Sequence, residues 1–338
     1  MSSFAWGLIG PGRIAHRFAE VVQQRPGMHL HAVQGRDAGR AQAFAAQWAR
    51  AGRPVPQVAA DVAALLADPA VDGVYIATPH AQHAQAIEAC LQAGKAVLCE
   101  KPLVATLPQA QRVVALARER GVFLMEALWT RFLPAVAAAR AWLDAGEIGA
   151  VQHVQSSFCF AAPYEPDSRI WNPALAGGAL LDLGVYNLAM SRWALEPAPG
   201  RCPPLARLHV DGALAPTGVD RRVAGSLVFD GGAVAQFVCA VDGQGENALS
   251  IQGERGCIRL AEPFWGATQA TLQRHGQPPV LLQRPHEING FEGEIDEAVR
   301  CVRAGLPESP TMPLDETLAL AGWMQEIRRR LGVRYPFD

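Results

Sequence analysis

The stretch FAWGLIGPGRIA, residues 4–15, decides the fold class of this chain. Its apolar half, Phe4 to Ile9, is typical of a buried strand. Gly10-Pro11-Gly12 then turns the chain into a helix that we expect to begin near Arg13. The turn reads G-x-G-x-x-A, a form of the dinucleotide-binding pattern that opens a βαβ unit. Its first glycine permits the tight turn, and its second lets backbone N–H groups approach a pyrophosphate at the helix N-terminus.

The candidate cofactor contacts in this turn are Gly10, Gly12, Arg13 and Ile14. An ordinary glycine-rich turn between a strand and a helix is the alternative interpretation. The position of the turn after a strand and before a helix favours dinucleotide binding.

Strands and helices alternate in the segment after the turn. The predicted strands are Leu30–Gln34, Val71–Ala77, Ala96–Glu100 and Val122–Met125, and the predicted helices are Ala38–Gln47, Gln82–Ala93 and Pro108–Arg120. Such alternation is typical of a parallel sheet. We therefore predict an α/β protein in which residues 1–126 form a Rossmann dinucleotide-binding domain.

The pattern changes after residue 126. Successive strands without intervening helices are predicted at Val151–Phe160, Ala206–Val210, Ala224–Phe229, Ala233–Val241, Asn247–Gln252 and Gly256–Leu260. The predicted helices are Leu133–Ala145, Gly178–Ala194, Phe291–Ala304 and Leu314–Leu331. Residues 127–338 are expected to form an α+β domain for substrate binding and oligomerisation, with a large, mainly antiparallel open sheet.

Composition excludes several classes of protein. Hydrophobic residues make up 50% and charged residues 18%, which is typical of a compact folded chain. Lys+Arg 30 against Asp+Glu 32 gives a net charge of -2, so nothing favours a nucleic-acid or anionic-membrane partner. The seven cysteines show no CxxC spacing, which indicates reduced thiols. With no signal segment and no apolar run near the ~20 residues that cross a bilayer, we expect a cytoplasmic protein.

The end of the second predicted strand carries information on the cofactor. An acidic residue there would bind the ribose 2′-OH of NAD, but Gly35 takes that position. Arg36 and Arg40, four residues apart, are suited to bind the 2′-phosphate of NADP as guanidinium forks. We therefore predict NADP, with NAD as the alternative. The other interpretation is that these are two solvated arginines at a helix start, one of them paired with Asp37.

Thr78-Pro79-His80 follows the third predicted strand and ends at the same edge of the sheet. We expect this loop and His83 to contact the cofactor near the nicotinamide ribose. Two histidines in a loop and at a helix start are also common surface residues. No third ligand follows at a suitable spacing, so no metal site is predicted.

Glu100-Lys101-Pro102 follows the apolar run Ala96 to Cys99. A buried strand that ends abruptly in a charged pair and a proline places Lys101 where ligands bind in open parallel sheets. Lys101 is the candidate catalytic cation and also a candidate cofactor contact. Glu100 is a candidate cofactor contact, lying against the ribose or orienting Lys101.

The second catalytic candidate lies in GGALLDLGVYN, residues 177–187. Asp182 and Tyr186 are four residues apart and share a helix face. A phenol with the ordinary tyrosine pKa near 10 exchanges protons poorly at neutral pH unless a cation is close, and Lys101 is the candidate cation. Simple packing of Tyr186 in the core is the alternative.

Aromatic and basic residues supply candidates for substrate binding. They are Trp129, Arg131, Phe160, Arg169, Trp171 and Trp265. Aromatic rings would form the wall of a pocket for a sugar or aromatic ring, and the arginines would hydrogen-bond its hydroxyls. Core packing for the rings and structural salt bridges for the arginines are equally open.

Together these motifs resemble the glucose–fructose oxidoreductase / inositol dehydrogenase (Gfo/Idh/MocA) family over nearly the whole chain. The resemblance rests on the glycine turn, on AGKAVLCEKP at 93–102 and on GALLD at 178–182. The segments MEALWTRF at 125–132, LDLGVY at 181–186, GFEGEI at 290–295 and ESP at 308–310 are most similar to the branch of dimeric dihydrodiol dehydrogenases and NADP-linked D-xylose dehydrogenases. Most of the family has histidine at the position of Tyr186, which separates this chain from inositol-type His–Asp chemistry.

The resemblance implies Lys101 and Tyr186 as the catalytic pair and Arg36 and Arg40 as the phosphate contacts. It also implies a homo-oligomer, a homodimer in this branch, formed through the open sheet. We expect an NADP-dependent oxidoreductase that moves a hydride between nicotinamide and a sugar, cyclic polyol or dihydrodiol. Asp182 would orient neighbouring groups or bind a substrate hydroxyl. The alternatives are an NAD-linked inositol or sugar-derivative dehydrogenase and a non-catalytic NADP-sensing regulatory protein.

Overall fold

The computed structural model describes residues 3–49 and 54–338. The chain forms two compact units. The first consists of the residues up to Ala127 together with Glu287–Thr317, and the second of Leu128–His286 with Leu318–Asp338. The segment Glu287–Thr317, which was predicted to lie in the C-terminal domain, belongs to the first unit because its helix packs there.

The strands and helices are numbered in chain order. The strands are β1 (Phe4–Ile9), β2 (Met28–Gln34), β3 (Gln57–Val58), β4 (Gly73–Ile76), β5 (Ala96–Glu100), β6 (Leu124–Ala127), β7 (Val151–Cys159), β8 (Leu205–Leu214), β9 (Asp220–Phe229), β10 (Val234–Ala240), β11 (Leu249–Gly253), β12 (Gly256–Leu260), β13 (Gln269–Arg274) and β14 (Val280–Gln283). The helices are α1 (Ala15–Gln24), α2 (Ala38–Gln47), α3 (Val62–Ala67), α4 (His83–Gln92), α5 (Leu107–Arg120), α6 (Pro134–Asp144), α7 (Val185–Leu195), α8 (Glu292–Arg303) and α9 (Leu314–Leu331).

The first unit is built on a parallel sheet. Within the described residues it has six strands in the order β3-β2-β1-β4-β5-β6, all paired in parallel. Strands β1, β4, β5 and β6 are buried along their whole length, as expected where helices cover both faces. The core includes a stacked pair, Phe18 and Tyr75, with ring centroids 3.9 Å apart. This Rossmann sheet confirms the first half of the predicted fold class.

The second unit is built on a mixed sheet. Among the described residues it has eight strands in the order β14-β13-β12-β11-β7-β10-β9-β8. Only the pairing of β7 with β10 is parallel in this sheet as described. One face packs on helices, with Ala235, Phe237 and Cys239 of β10 buried, while Gln236 and Val238 are exposed on the other. The large, mainly antiparallel open sheet is therefore confirmed.

Some elements differ from the sequence prediction. Strands β3, β13 and β14 and the helix α3 were not predicted. Strand β3 is two residues long and helix α3 is six residues long, and both are too short for a clear periodicity. The predicted helix Gly178–Ala194 is a π-helix over Leu180–Gly184 that continues as α7.

The helical stretch Pro173–Leu195 is the one segment of the described chain long and apolar enough to cross a membrane. Of its apolar window, 89% is buried inside the protein. It has the burial of a core helix.

Candidate functional site

The glycine turn after β1 joins the ends of three strands. The Gly10 N–H donates to Gln34 O of β2 at 2.9 Å, and the Ala77 N–H donates to Ile9 O at 2.9 Å. Gly10 has φ +91, and a Cβ at this position would lie 2.9 Å from the backbone of Ala77 and Thr78. Both the conformation and the close approach require glycine. At Gly12, by contrast, no described atom lies within 4 Å of a Cβ position. The turn is therefore open where a pyrophosphate would approach.

Thr78, beside Gly10 at the end of β4, presents a polar atom without a partner. Its hydroxyl oxygen is buried and makes no hydrogen bond to any described residue. A buried hydroxyl without a partner costs stability, so such a group in a native structure calls for an explanation. A polar group of a bound dinucleotide would satisfy it, and Thr78 therefore fits the predicted cofactor.

His83 ties this loop to the next one. Its ring nitrogens lie 2.8 Å from Thr78 O and 3.0 Å from Pro102 O. Burial lowers the pKa of His83, and the nearby charge of Lys101 adds to this effect. Both nitrogens face backbone carbonyls, so His83 joins the two loops. His80 is half-buried beside it, with ring centroids 5.8 Å apart.

The predicted phosphate contacts lie at the start of α2. Arg36 and Arg40 are exposed, and neither side chain makes a hydrogen bond or ion pair within the described chain. Asp37 instead caps the helix, accepting from the Arg40 N–H at 3.0 Å. A Cβ at Gly35 would lie 2.8 Å from the ring of Pro11, so an acidic side chain does not fit there. These features leave two guanidinium groups and no competing carboxylate at the NAD-type position.

Glu100-Lys101-Pro102 follows β5 as predicted. Lys101 is half-buried and precedes a cis peptide bond to Pro102. Glu100 accepts a hydrogen bond from the Tyr75 hydroxyl and one from the Lys101 N–H, the latter at 3.3 Å. The structure thus shows an anchoring contact for Glu100: it ties the Lys101 backbone to the core of the first unit.

Two further carboxyl groups of the first unit, Glu126 and Glu294, are buried. Glu126 accepts from the Leu103 N–H at 3.0 Å and from the Thr317 hydroxyl at 2.8 Å. Burial raises the pKa of Glu294 well above its usual range, and the charge of Glu100 raises it further. None of these partners was visible in the sequence, because they come from segments far apart in the chain.

Tyr186 lies in the second unit, at the start of α7. Its side chain is buried, with 6% of the residue exposed. The indole N–H of Trp129 donates to the Tyr186 hydroxyl at 2.9 Å. Phe158 flanks the phenol with ring centroids 5.6 Å apart, and Trp265 stacks on Phe158 at 3.3 Å. The candidates Trp129 and Trp265 therefore belong to one aromatic cluster around Tyr186.

Phe158, which was not among the residues predicted from the sequence, is a central member of this cluster. The alternation along β7 could have indicated it, since Val154, Ser156 and Phe158 share the buried face. Phe160, the predicted residue, is half-buried just beyond β7, where its backbone N–H donates to Ala240 O at 3.0 Å.

The two arginines that were predicted to bind substrate, Arg131 and Arg169, have different surroundings. Arg169 is half-exposed and pairs with Asp182, whose carboxylate oxygen lies 3.0 Å from its guanidinium. Arg131 is buried and forms a two-pronged ion pair with Glu196, at 3.0 and 3.3 Å. The guanidinium of Arg131 is thus engaged in the core and holds the end of α7, which supports the salt-bridge interpretation.

Trp171 is buried as well. Only 3% of the residue is exposed, and its indole N–H donates to Pro163 O at 2.8 Å. Its ring packs against Tyr164 with centroids 5.2 Å apart. Trp171 is therefore a core residue of the second unit. No group of three His, Cys, Asp or Glu side chains suited to a metal ion occurs in the described ranges.

An open glycine turn on a Rossmann sheet, in a chain that also holds a buried tyrosine with its own hydrogen-bond donor, is typical of nicotinamide-dependent oxidoreductases. Comparison with family models agrees. The model of an oxidoreductase family with an NAD-binding Rossmann fold matches residues 4–128, and the Gfo/Idh/MocA C-terminal domain matches residues 136–259. The chain belongs to the Gfo/Idh/MocA family and is an NAD(P)-dependent oxidoreductase.

Similar proteins and structures extend over almost the whole chain. The trans-1,2-dihydrobenzene-1,2-diol dehydrogenase of Mus musculus is 36% identical over 343 residues, 98% of each chain. The human enzyme of the same name is 35% identical over 340 residues, again 98% of each chain. A 3-ketoreductase from Actinomadura kijaniata, solved with NADP and TDP-benzene, matches with TM-score 0.82 and 26% identity over 97% of this chain and 98% of that one. An aldose-aldose oxidoreductase from Caulobacter crescentus shares the fold, with TM-score 0.84 and 24% identity over 97% of both chains.

Proposed function

We propose that this protein is an NADP-dependent dehydrogenase of a cyclic diol or sugar, in which Lys101 and Tyr186 handle the hydroxyl proton. The observation that carries the proposal is the hydrogen bond from the Trp129 indole to the Tyr186 hydroxyl, inside a cluster of aromatic rings. The buried Tyr335, by comparison, donates to a backbone carbonyl, Gly177 O, at 2.7 Å.

The cofactor assignment rests on the first unit. The open turn at Gly12 and the unpartnered hydroxyl of Thr78 fit the pyrophosphate and ribose portions of a dinucleotide. Arg36 and Arg40 favour NADP over NAD because they offer a 2′-phosphate two guanidinium groups that no described residue engages. The bound nicotinamide supplies the hydride acceptor in oxidation and the hydride donor in reduction.

The chain's own residues handle the proton. The phenolate oxygen of Tyr186 takes the hydroxyl proton as the substrate is oxidised, and the phenol so formed returns that proton in reduction. The Trp129 N–H stabilises the negative charge of the phenolate, as an oxyanion donor does. The ammonium group of Lys101 stabilises the same charge and the developing alkoxide. Glu100 fixes the Lys101 backbone through its bond to the Lys101 N–H.

The substrate class follows from the surroundings of Tyr186. Phe158 and Trp265 offer an apolar face. Asp182 lies one turn before Tyr186 in the helical segment and pairs with Arg169, so the two offer an anion and a cation. A ring with one apolar face and adjacent hydroxyls matches both. The curated relatives are named for such a ring, a trans-dihydrobenzenediol.

The test is a substrate panel followed at the absorbance of reduced nicotinamide, with NADP and with NAD. The panel contains trans-dihydrobenzenediol, aldoses and cyclic polyols. Tyr186→Phe is expected to lower kcat by about 10²- to 10⁴-fold. The matched control is Tyr164→Phe, because Tyr164 is 47% exposed and lies in the same unit. Turnover of Tyr186→Phe within about threefold of wild type would overturn the assigned role.

Cofactor preference has a separate test by binding. Arg36→Ala and Arg40→Ala are expected to weaken NADP binding by about 10- to 100-fold each, since a hydrogen bond to a charged group contributes about 1.5–3 kcal/mol. NAD binding should stay unchanged. The control is Arg120→Ala, an exposed arginine at the end of α5. Equal loss of NADP and NAD affinity would favour the NAD-linked alternative.

We further propose that the protein is a cytoplasmic homodimer joined through the exposed face of the mixed sheet. This face forms an open hollow of about 840 Å³, lined by residues such as Gln155, Ser226, Gln236, Val238 and Ser250. A second copy offers the same self-complementary mixture of polar and apolar groups. Val238→Arg is expected to convert a dimer to a monomer in sedimentation equilibrium. A wild-type monomer would contradict the proposal.

A further inference from the structure

Asp220, at the start of β9, is a fully buried carboxylate that the proposed mechanism does not use. Its Oδ2 accepts a hydrogen bond from the Leu180 N–H at 2.6 Å, and its Oδ1 makes no hydrogen bond within the described chain. Leu180 is the first residue of the π-helix that leads into α7. The carboxylate therefore caps the beginning of the helical segment that carries Asp182 and Tyr186.

The turn before this segment is held from several sides. Gly178 has φ +118, and a Cβ there would overlap Asp220 Oδ1. The Gly178 N–H donates to Ile170 O at 2.8 Å, and the Tyr335 hydroxyl donates to Gly177 O at 2.7 Å. Any side chain at residue 178 would displace the cap. The close approach of glycine and carboxylate thus fixes where the helical segment begins.

The charged surroundings of Asp220 come from the C-terminal segment. Burial raises the pKa of Asp220 to about 7, while the charge of Arg328 acts in the opposite direction. Arg328 is itself buried, stacks over Tyr335 at 4.0 Å and binds the carboxylate of Asp338 at 2.6 Å. A buried carboxylate is costly unless it makes strong hydrogen bonds, so its retention at a helix start calls for a role.

Tyr186 follows Leu180 by six residues in one continuous helical segment. A rotation of the first turn would carry the Tyr186 hydroxyl away from the Trp129 indole. We propose that Asp220 is a positioning residue, which caps Leu180 and thereby holds the Tyr186 hydroxyl on its hydrogen-bond donor. This inference rests on the proposed role of Tyr186.

The test compares Asp220→Ala, Asp220→Asn and the control Asp230→Ala. Asp230 is exposed just beyond the other end of β9. Asp220→Ala is expected to lower kcat about tenfold, as loss of a cap and of side-chain placement would, while the NADP dissociation constant stays unchanged. Asp220→Asn keeps an acceptor oxygen and should restore kcat to within about threefold of wild type. Asp230→Ala should resemble wild type.

A second readout reports on Tyr186 directly. The chain has only four tyrosines, so ¹³Cζ-tyrosine labelling gives a spectrum simple enough to assign with Tyr186→Phe. The Tyr186 resonance should shift in Asp220→Ala, and the Tyr75 resonance should not. A loss of kcat without that shift, or a shift without loss of kcat, would overturn the positioning role. Failure of the proposed function would appear separately, as normal turnover in Tyr186→Phe.

Asp220→Ala removes a buried group and could prevent folding. In that case the same two readouts in Gly178→Ala decide, because the added methyl group pushes the carboxylate off Leu180. If both variants fail to fold, Asp220→Asn decides: kcat within about threefold of wild type with an unshifted Tyr186 resonance supports the cap, and a lower kcat with an unshifted resonance overturns the positioning role.

Discussion

Replacing Trp129 by phenylalanine removes one hydrogen bond from the Tyr186 hydroxyl and keeps an aromatic ring. The indole N–H lies 2.9 Å from the phenol oxygen, and Tyr186 is 6% exposed, so water does not readily replace the donor. A hydrogen bond to a charged oxygen contributes about 1.5–3 kcal/mol. At about 1.4 kcal/mol per pH unit, its loss should move the acidic limb of the kcat/KM profile, on which the phenolate forms, about 1 to 2 units upward.

The assay is the pH profile of NADP reduction for wild type and Trp129→Phe, with the same substrate and saturating cofactor. At neutral pH, we expect kcat/KM to fall by about 10- to 100-fold and to recover as the pH rises. Trp193→Phe is the control, because Trp193 is a buried tryptophan of the same unit that lies against Arg140, with 5.5 Å between guanidinium and ring. A uniform loss at every pH would refute the reasoning, since it would indicate misplaced substrate and not a less stable phenolate.

Three further predictions test other parts of the structure. Arg131→Leu leaves Glu196 buried without its partner and should cost about 3–5 kcal/mol in urea unfolding, whereas the double variant with Glu196→Leu should recover most of that loss. Burial raises the pKa of Asp220 from 3.8 to about 7 in the folded state, so stability that is present at low pH is lost as the pH rises from about 4 to 7. Asp220→Asn should flatten this dependence of the unfolding free energy by about 1 kcal/mol per pH unit. An unchanged slope would contradict the assignment. Thr78→Val removes a hydroxyl that has no partner among the described residues, so the melting temperature without cofactor should not fall. NADP should bind about fivefold more weakly in calorimetry. Equal affinity would show that Thr78 does not contact the cofactor.

The sequence predicted the parts of the fold that local patterns determine. The bounds of β1, β5, β12, α2 and α9 agree with the structure, because apolar runs or helical periodicity end there at clear turn residues. Placement of Glu287–Thr317 in the first unit could not be predicted, since it depends on packing between segments that are distant in the chain.

The candidate site shows the same division. Motifs led to the glycine turn, Lys101 and Tyr186, because each has a local pattern with a physical reason. The partners that define their chemistry are not local: Trp129 reaches Tyr186 across 57 positions, and Tyr75 reaches Glu100 across 25. Arg131 looked equally suited to substrate and to a salt bridge, and its burial against Glu196 supports the salt bridge.

The central claim is that Lys101 serves the chemical step and not cofactor affinity. The most direct test is to measure kcat and the NADP dissociation constant of Lys101→Ala in parallel. We predict that kcat falls by about 10²- to 10⁴-fold while the dissociation constant changes by less than about threefold. Near-normal turnover in this variant, or a loss of NADP binding that accounts for the loss of turnover, would contradict the claim.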